Sequence, residues 1–497
     1  MINFFKNKQF RLGLLFIILL ELISLAGYLV PTINLLAFVV ICLAFLIIAF
    51  KDLHLALWLV LLELIIGSKG YLFSGDILGT QLAIRIALWI ILMSVWFLRE
   101  IQHYWQDRKL SWPFSYYRYF WLALAVFLTY GLAWGILKHN DPSNIFLDFN
   151  NWLYLLIVLP AYRLLNQENY KQYWPLLMAG LSWLVLKTLL LLFAFSHNLF
   201  LANTEIYRWV RDTGIAEVTE MQSGFYRIFM QSHIYVILAW LGIILLVSWL
   251  IKKKQTSRYW LLALVALGAV VVISLSRSFW AGLVVGLLVY WPLSLLYFKL
   301  NWQQIIKTNI SWFVALLVGF VLIFGIVVFP YPKPWLDVSM LGLLSDRTDI
   351  MNEAGAASRW SLLPELWGGI TINPLSGQGF GATLTYQTDD PRIRQSSVDG
   401  SYTTYAFEWG WLDIWFKLGV LGWLAYLAFL GKLIWDGFKT KQLLGVYLSS
   451  SLIVLTAIHF FTPYLNHPLG LGYLAIAVVY LDLLRQQNQG GSSLAKK

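Results

Sequence analysis

The chain has 497 residues, of which 59% are hydrophobic, 17% aromatic and only 12% charged, with a formal charge of +11. A soluble domain carries about 25% charged residues, so a water-soluble globular fold is excluded. The basic surplus sits in short loops between apolar runs rather than on one face, which excludes a nucleic-acid-binding surface. Taken in chain order, the apolar runs predict spans at 10–29, 33–50, 53–67, 81–98, 119–137, 151–165, 173–196, 226–250, 259–275, 279–298, 310–329, 408–431, 443–461 and 468–485. Runs of this length are helices, because roughly 20 apolar residues cross a bilayer core of about 30 Å and barrel strands would be shorter and alternating. The expectation is therefore an all-α polytopic membrane protein with about twelve to fourteen transmembrane helices, the short run 151–165 being tilted or re-entrant. Lys6, Lys8 and Arg11 before the first run look like a signal peptide, but no small-residue cleavage site follows, so a retained first helix is expected.

The charge pattern orients the chain. With both termini cytoplasmic, the inside loops hold about 22 of the 36 Lys and Arg residues. This organisation gives helices 1–11 within residues 1–329, with an outer loop near 197–225. A large extracytoplasmic loop, partly helical, follows at 330–407. The last three helices occupy 408–485, and a disordered cytoplasmic tail is expected at 486–497. Within the large loop, residues 358–369 read as a short amphipathic helix with Trp360, Leu363, Leu366 and Trp367 on one face, stopped by Gly368 and Gly369. It either lies on the membrane surface or roofs a cavity. No internal repeat is visible, and the lone Cys42 excludes an internal disulfide.

Ionisable residues inside spans cost several kcal/mol unless paired or wetted, and so point to function. The cations are Arg85, Lys187, Arg227, Arg277 and Lys417; the acids are Glu21, Glu63, Glu408 and Asp413. Arg85, Arg227, Arg277 and Glu408 fall toward the outer ends of their spans, and Arg359 lies in the outer loop. Arginines converging at the outer leaflet suit a phosphate-bearing substrate, which the guanidinium grips with two parallel hydrogen bonds. Structural roles compete at each position. Glu63 and Arg85 sit near the outer ends of adjacent spans, where an ion pair serves as well as catalysis. Lys187 could anchor its helix to a buried carboxylate, Lys417 is one turn beyond Asp413, Glu21 could be a neutral buried acid, and Arg227 and Arg277 could snorkel to the interface. No P-loop, Gly-x-Ser-x-Gly elbow or His-Glu-x-x-His motif is present, and Gly377-Gln-Gly-Phe-Gly381 follows a predicted helix rather than a strand, so it is not a dinucleotide fingerprint. His233, His459 and His467 are scattered singly. A mechanism with no metal and no cofactor is expected.

Three stretches carry a resemblance. Ser274-Leu-Ser-Arg-Ser-Phe-Trp-Ala-Gly282 places a Ser-Arg pair at the outer start of a helix. Ser358-Arg-Trp360 heads a helix leading to Asn373-Pro-Leu-Ser-Gly-Gln-Gly-Phe-Gly381. Trp411-Leu-Asp-Ile-Trp-Phe-Lys-Leu-Gly-Val-Leu-Gly422 re-enters the membrane, and Arg227-Ile-Phe-Met-Gln-Ser-His233 adds a weaker match. In order, spacing and outer placement these resemble the O-antigen ligase and O-antigen polymerase family of bacterial membrane glycosyltransferases, over roughly residues 220–430. The chain departs from the family at Glu408-Trp409, where members often have His-Asn.

The resemblance implies transfer of a glycan from polyprenyl (undecaprenyl) diphosphate to an acceptor sugar chain, lipid core of lipopolysaccharide or protein. The site would be at the outer face of the bacterial cytoplasmic membrane, in the biosynthesis of envelope polysaccharide. Arg227, Arg277 and Arg359 would bind the diphosphate. Glu408 is the best-placed carboxylate to take the acceptor's proton, with Asp399 as the second candidate. The expected partners are the bilayer, the lipid-linked glycan and its acceptor, and no nucleic acid. The rival reading is a lipid-linked glycan flippase or another secondary transporter, which would be expected to show internal repeats and short outer loops.

Overall fold

In a computed structural model, residues 7–77, 80–107, 116–165, 169–199, 202–221, 225–255, 259–332, 354–389, 391–394, 397 and 399–494 are described. The fold is 77% helical with almost no sheet. Among the described residues, ten helices are long and apolar enough to cross a membrane, and three further apolar helices are shorter: Leu53–Ile66, Tyr259–Ser274 and Leu443–His459. The protein is an all-α, multi-pass membrane protein. Among the described residues, sheet is confined to three two-stranded antiparallel hairpins: Ser74–Ile77 with Thr80–Ala83, Glu217–Glu220 with Tyr226–Phe229, and Leu384–Gln387 with Ser401–Thr404. The chain divides into two compact units, one of residues 1–111 and 160–340, the other of 112–159 and 341–497.

In the first unit the central helix is Leu53–Ile66, buried along nearly its whole length. A helix that is apolar all round belongs in an interior, and Lys8–Leu29, Ile84–Asp107 and Asn169–Ser196 enclose it or its neighbours. Pro31–Lys51 does the opposite, burying only Phe38, Phe45 and Ala49 and turning Leu35, Leu36, Val40 and Leu43 outward, as a lipid-facing helix does. Tyr259–Ser274 and Trp302–Val327 approach closely through glycine. A Cβ at Gly319 would stand 3.1 Å from the Val265 carbonyl, the small-residue contact typical of helices in lipid.

Several boundaries differ from those read in the sequence. The segment around Arg227 is not the start of a span but a β-strand, and the helix begins at His233. The hairpin Ser74–Ile77 with Thr80–Ala83 likewise precedes Ile84–Asp107. Trp302–Val327 starts eight residues before the expected position, because Asn301 and Gln304 form a reciprocal capping box. Pro468–Leu494 continues through most of the segment expected to be a disordered tail, where glutamines favour helix continuation; residues 495–497 lie outside the described residues.

The second unit is built on Pro468–Leu494, whose span is mostly buried, with Arg118–Leu137, Pro142–Leu153, Gly410–Lys439 and Leu443–His459 around it. Ala354–Ile372 belongs to the segment 330–407, of which residues 333–353 lie outside the described residues. It buries Leu362, Leu366 and Ile370 in a core with Tyr386, Phe407, Trp409 and Phe416. Trp360 and Trp367 are each half exposed, so the inward face differs from the expected one. Gly368 and Gly369 do not stop this helix either. Gly369 is small because Phe416 packs against it, at 2.7 Å from where a Cβ would stand.

Gly410–Lys439 is broken at Gly419 (φ 70°, ψ 173°), and the glycine-rich stretch after Ile372 fills the break. Gln378 N donates to the Phe416 carbonyl at 2.7 Å, Gly379 N to the Lys417 carbonyl at 3.0 Å, and Val420 N to the Pro374 carbonyl at 2.9 Å. On the other side Phe380 N donates to the Gly131 carbonyl, and Asn140 Nδ2 donates to the Gln378 and Phe380 carbonyls. Gly377, Gly379 and Gly381 all have φ between 70° and 78°, where L side chains are strained, and each lies against neighbouring backbone.

At Gly419 a Cβ would collide with the Leu375 carbonyl in a conformation open essentially to glycine alone. Gly419→Ala is expected to cost at least about 3 kcal/mol, read as a clear fall in Tm of the purified protein in detergent. Gly431→Ala, with nothing within 4 Å of the added methyl, should leave Tm unchanged or raise it slightly.

Candidate functional site

Arg227 and Arg277 are assembled at one corner of the first unit. Tyr259–Ser274 ends there, Leu275 reverses the chain with φ 43°, and Arg277 opens the helix that runs to Pro292. The reversal leaves the Ser274 carbonyl outside the helix ladder, and Arg227 Nε donates to it at 2.9 Å. The hairpin strand holding Arg227 is fixed by register, with Thr219 opposite Arg227, and by the Phe229 ring 5.6 Å from that of Phe279. The Arg227 guanidinium lies 5.1 Å from the Phe229 ring centroid. Both arginines are half-buried, and Ser276 and Ser278 share a hydroxyl–hydroxyl hydrogen bond of 3.0 Å beside Arg277. Arg227, the Ser276 and Ser278 hydroxyls and the start of the helix opened by Arg277 thus lie along one chain reversal, residue types suited to an anion.

Arg359 and Glu408 form an ion pair in the second unit. Their side chains are 43% and 50% exposed, so the pair contributes little to stability and the carboxylate is reachable from outside. Trp409 Nε1 donates to the Arg359 carbonyl at 2.9 Å, and the Trp360 and Trp409 rings meet edge to face. The pair is therefore held at its backbone on both sides while its charged ends face outward.

Asp399 has a different occupation. It is exposed in the turn between the strands Leu384–Gln387 and Ser401–Thr404, where its Oδ1 accepts from Ser397 Oγ at 2.5 Å and from Ser401 N at 3.2 Å. The Ser397 hydroxyl first, then Ser401, holds its carboxyl below the usual carboxylate value. A carboxylate so stabilised is a weaker proton acceptor, and its hydrogen bonds serve its own turn.

The remaining ionisable residues close on one another in the interior. Arg85 Nε and Nη2 grip Glu63 at 2.7 and 3.1 Å, with Nη2 also donating to the Ser68 carbonyl at 2.8 Å. Lys187 Nζ meets Glu21 at 2.6 Å, so Glu21 is a partnered carboxylate and not an isolated buried acid. In the second unit Lys417 Nζ lies 2.6 Å from Asp148 and 2.7 Å from Asp413, whose second oxygen accepts from Asn466 at 2.6 Å. The other Asp148 oxygen accepts from Gly381 N at 2.8 Å, tying this cluster to the glycine-rich segment.

Asp148 was not among the residues singled out from the sequence, because residues before 151 read as loop. The signal was present: Asp141 caps the Asn144 amide and Pro142 takes the first helical position, so Pro142–Leu153 is helical and carries Asp148 inward. The histidines are dispersed. His233 Nε2 is bonded to Thr188, and His459 Nδ1 accepts from Leu465 N. Among the described residues no group of three or more His, Cys, Asp and Glu is placed to hold a metal ion.

Family models, characterised proteins and solved structures give no match to this chain.

The buried pairs predict a specific pattern of stability. Lys187→Met leaves Glu21 charged and alone in the interior and should cost about 3–5 kcal/mol. Adding Glu21→Leu should restore most of that loss, because an apolar pair of similar volume replaces the ion pair without an orphan charge. Thermal unfolding of the single and double variants in detergent checks this. A double variant no more stable than the single one would mean the pair is required for the fold itself.

Proposed function

We propose that the protein is a membrane glycosyltransferase that moves a glycan from polyprenyl diphosphate to an acceptor sugar chain, lipid or protein at the outer face of the cytoplasmic membrane. The observation that carries this is the placement of Arg277 at the first position of a helix, with Arg227 on the adjoining hairpin strand donating to the Ser274 carbonyl just before that helix, both half-buried. Arginine beside a helix N-terminus suits a phosphate-bearing group, and the motif resemblance names a diphosphate.

The chemistry follows from charge. As the anomeric carbon–oxygen bond breaks, negative charge develops on the departing diphosphate. Arg277 and Arg227, fixed before the reaction, stabilise that charge more than they stabilise the ground state. From the motif resemblance, Glu408 is the proposed base that takes the acceptor hydroxyl's proton as the new glycosidic bond forms, and the products are the extended or ligated glycan and free polyprenyl diphosphate. Arg359 pairs with Glu408 within the second unit. Asp399 is the second choice as base, weakened by its turn-capping hydrogen bonds.

One observation favours a transporter: a broken helix closed by a re-entering segment, beside buried charges, is also how transporters build midplane sites. Release of polyprenyl diphosphate from a labelled lipid-linked glycan by purified protein, with acceptor and no gradient, separates the two. Movement of intact lipid-linked glycan across a vesicle membrane without bond cleavage would overturn the enzyme reading.

In that assay Arg277→Ala should lower turnover by about 10²–10³, and Arg277→Lys should recover little, since a point charge lacks the two-pronged grip. Glu408→Gln should lower turnover by about 10²–10⁴ while binding of the lipid-linked glycan survives. Normal turnover in Glu408→Gln would remove the base assignment. Orientation is checked separately: a reporter fused after Gly369 should read as exported and one after Lys254 as cytoplasmic.

A further inference from the structure

The segment that closes the break at Gly419 lies at a depth that can be worked out. Gly410–Lys439 has 30 residues and is therefore about 45 Å long at 1.5 Å per residue, longer than a bilayer core of about 30 Å. Between Lys417 and Lys432 it carries no charged residue, and Lys432 is bonded to Asp436 one turn on, with Lys439 following. Lys432 thus marks one edge of the apolar core. Gly419 lies about 20 Å back along the helix from that edge, which puts it on the order of 10 Å inside the opposite edge.

Leu375 is at the same level, since its carbonyl occupies the space a Gly419 side chain would need and the adjacent Pro374 carbonyl accepts from Val420 N. Yet the side chains of this segment turn outward. Leu375 is 68% exposed, Ile372 74% and Trp367 50%. They continue the outward apolar surface of the helix itself, where Leu421 and Leu424 are also exposed. Trp367 stands edge to face against Trp415, and Trp415 Nε1 donates to the Pro374 carbonyl.

Charge is distributed in the same sense. From Leu366 to Thr388 there is no Asp, Glu, Lys, Arg or His, whereas the exposed Glu365 immediately precedes this stretch and the exposed Arg359–Glu408 pair lies further toward the start of the Ala354–Ile372 helix. The backbone is satisfied internally, by Phe416, Lys417 and Gly131 carbonyls and by the Tyr130 hydroxyl and Trp134 indole. Non-helical chain is tolerated at membrane depth only under that condition.

We propose that residues 366–376 are inserted in the bilayer as a re-entrant leg. Trp367, Ile372 and Leu375 touch the acyl chains of the leaflet on the Gly410 side, while the Arg359 end of the helix stays in the headgroup layer or water. The occupant of this apolar face is lipid, because the face continues a lipid-facing span at the same depth and carries no charge. Unlike the glycosyltransferase reading, this depends on no substrate.

Site-directed spin labels measure it. On a Cys42→Ala background, Leu375→Cys and Ile372→Cys are labelled in lipid nanodiscs, with Leu421→Cys as a span reference and Thr385→Cys, exposed on the hairpin, as a water reference. All four sites are exposed, so folding should survive labelling. The expected result is that Leu375 and Ile372 labels match Leu421, with an oxygen-to-nickel-chelate accessibility ratio several-fold above that at Thr385. A ratio equal to that at Thr385 would place the segment in water. Labels reached by neither reagent would mean protein covers the face. Either result overturns the proposal.

Discussion

A helix interrupted inside a membrane exposes carbonyls and amides where no water can bond them, and each costs several kcal/mol if left bare. The second unit is organised around closing one such interruption at Gly419. The carbonyls of Phe416 and Lys417, released by the break, receive the amides of Gln378 and Gly379. That exchange requires two chains to touch backbone to backbone, which is why glycine recurs at positions 377, 379, 381 and 419. The same strand must also be held on its outer side, and Gly131, Tyr130, Trp134 and Asn140 do this from Arg118–Leu137 and the loop after it. A segment far away in sequence is thereby locked into the span without side-chain bulk.

The charged cluster beside the break follows from it. Lys417 is on the last turn before Gly419, Asp413 is one turn earlier, and Asp148 joins from Pro142–Leu153 while accepting the Gly381 amide. One ammonium between two carboxylates satisfies the geometry of three chain segments at once. Such clusters add little net stability compared with apolar packing, but the cost of an orphaned buried charge is large, so they restrict which arrangements the segments can adopt. The pairs Glu63–Arg85 and Glu21–Lys187 impose the same restriction on the helices of the first unit.

Against this background of internally closed charges, the arginines at positions 227, 277 and 359 stand apart by exposure and by place. Arg227 and Arg277 are half-buried at a chain reversal, where a positive φ at Leu275 frees a carbonyl for one guanidinium and a helix start presents the other. Arg359 and Glu408 pair at a surface where the pairing is weak and exchangeable.

The class and the positions of most helices were legible because both follow from a local pattern, apolar run length against bilayer thickness. The helix starts at Pro142 and Trp302 were also present as local caps, Asp141-Pro142 and Asn301 with Gln304, although run length alone hid them. The strand at Arg227 was not legible, since Tyr226–Phe229 is apolar enough to pass for the start of a helix and its register depends on a partner strand. Nor could sequence distinguish a glycine that ends a helix from one that admits a neighbour: Gly369 and Gly377 look alike until Phe416 and the Lys417 carbonyl are in place. For the charges, residue type and depth singled out Arg85, Lys187, Arg227, Arg277 and Lys417 as costly. Which carboxylate pairs with Lys187 or Lys417 was decided only by tertiary packing, because Glu21 and Lys187, and Asp148 and Lys417, are distant in the chain and meet only when the helices assemble.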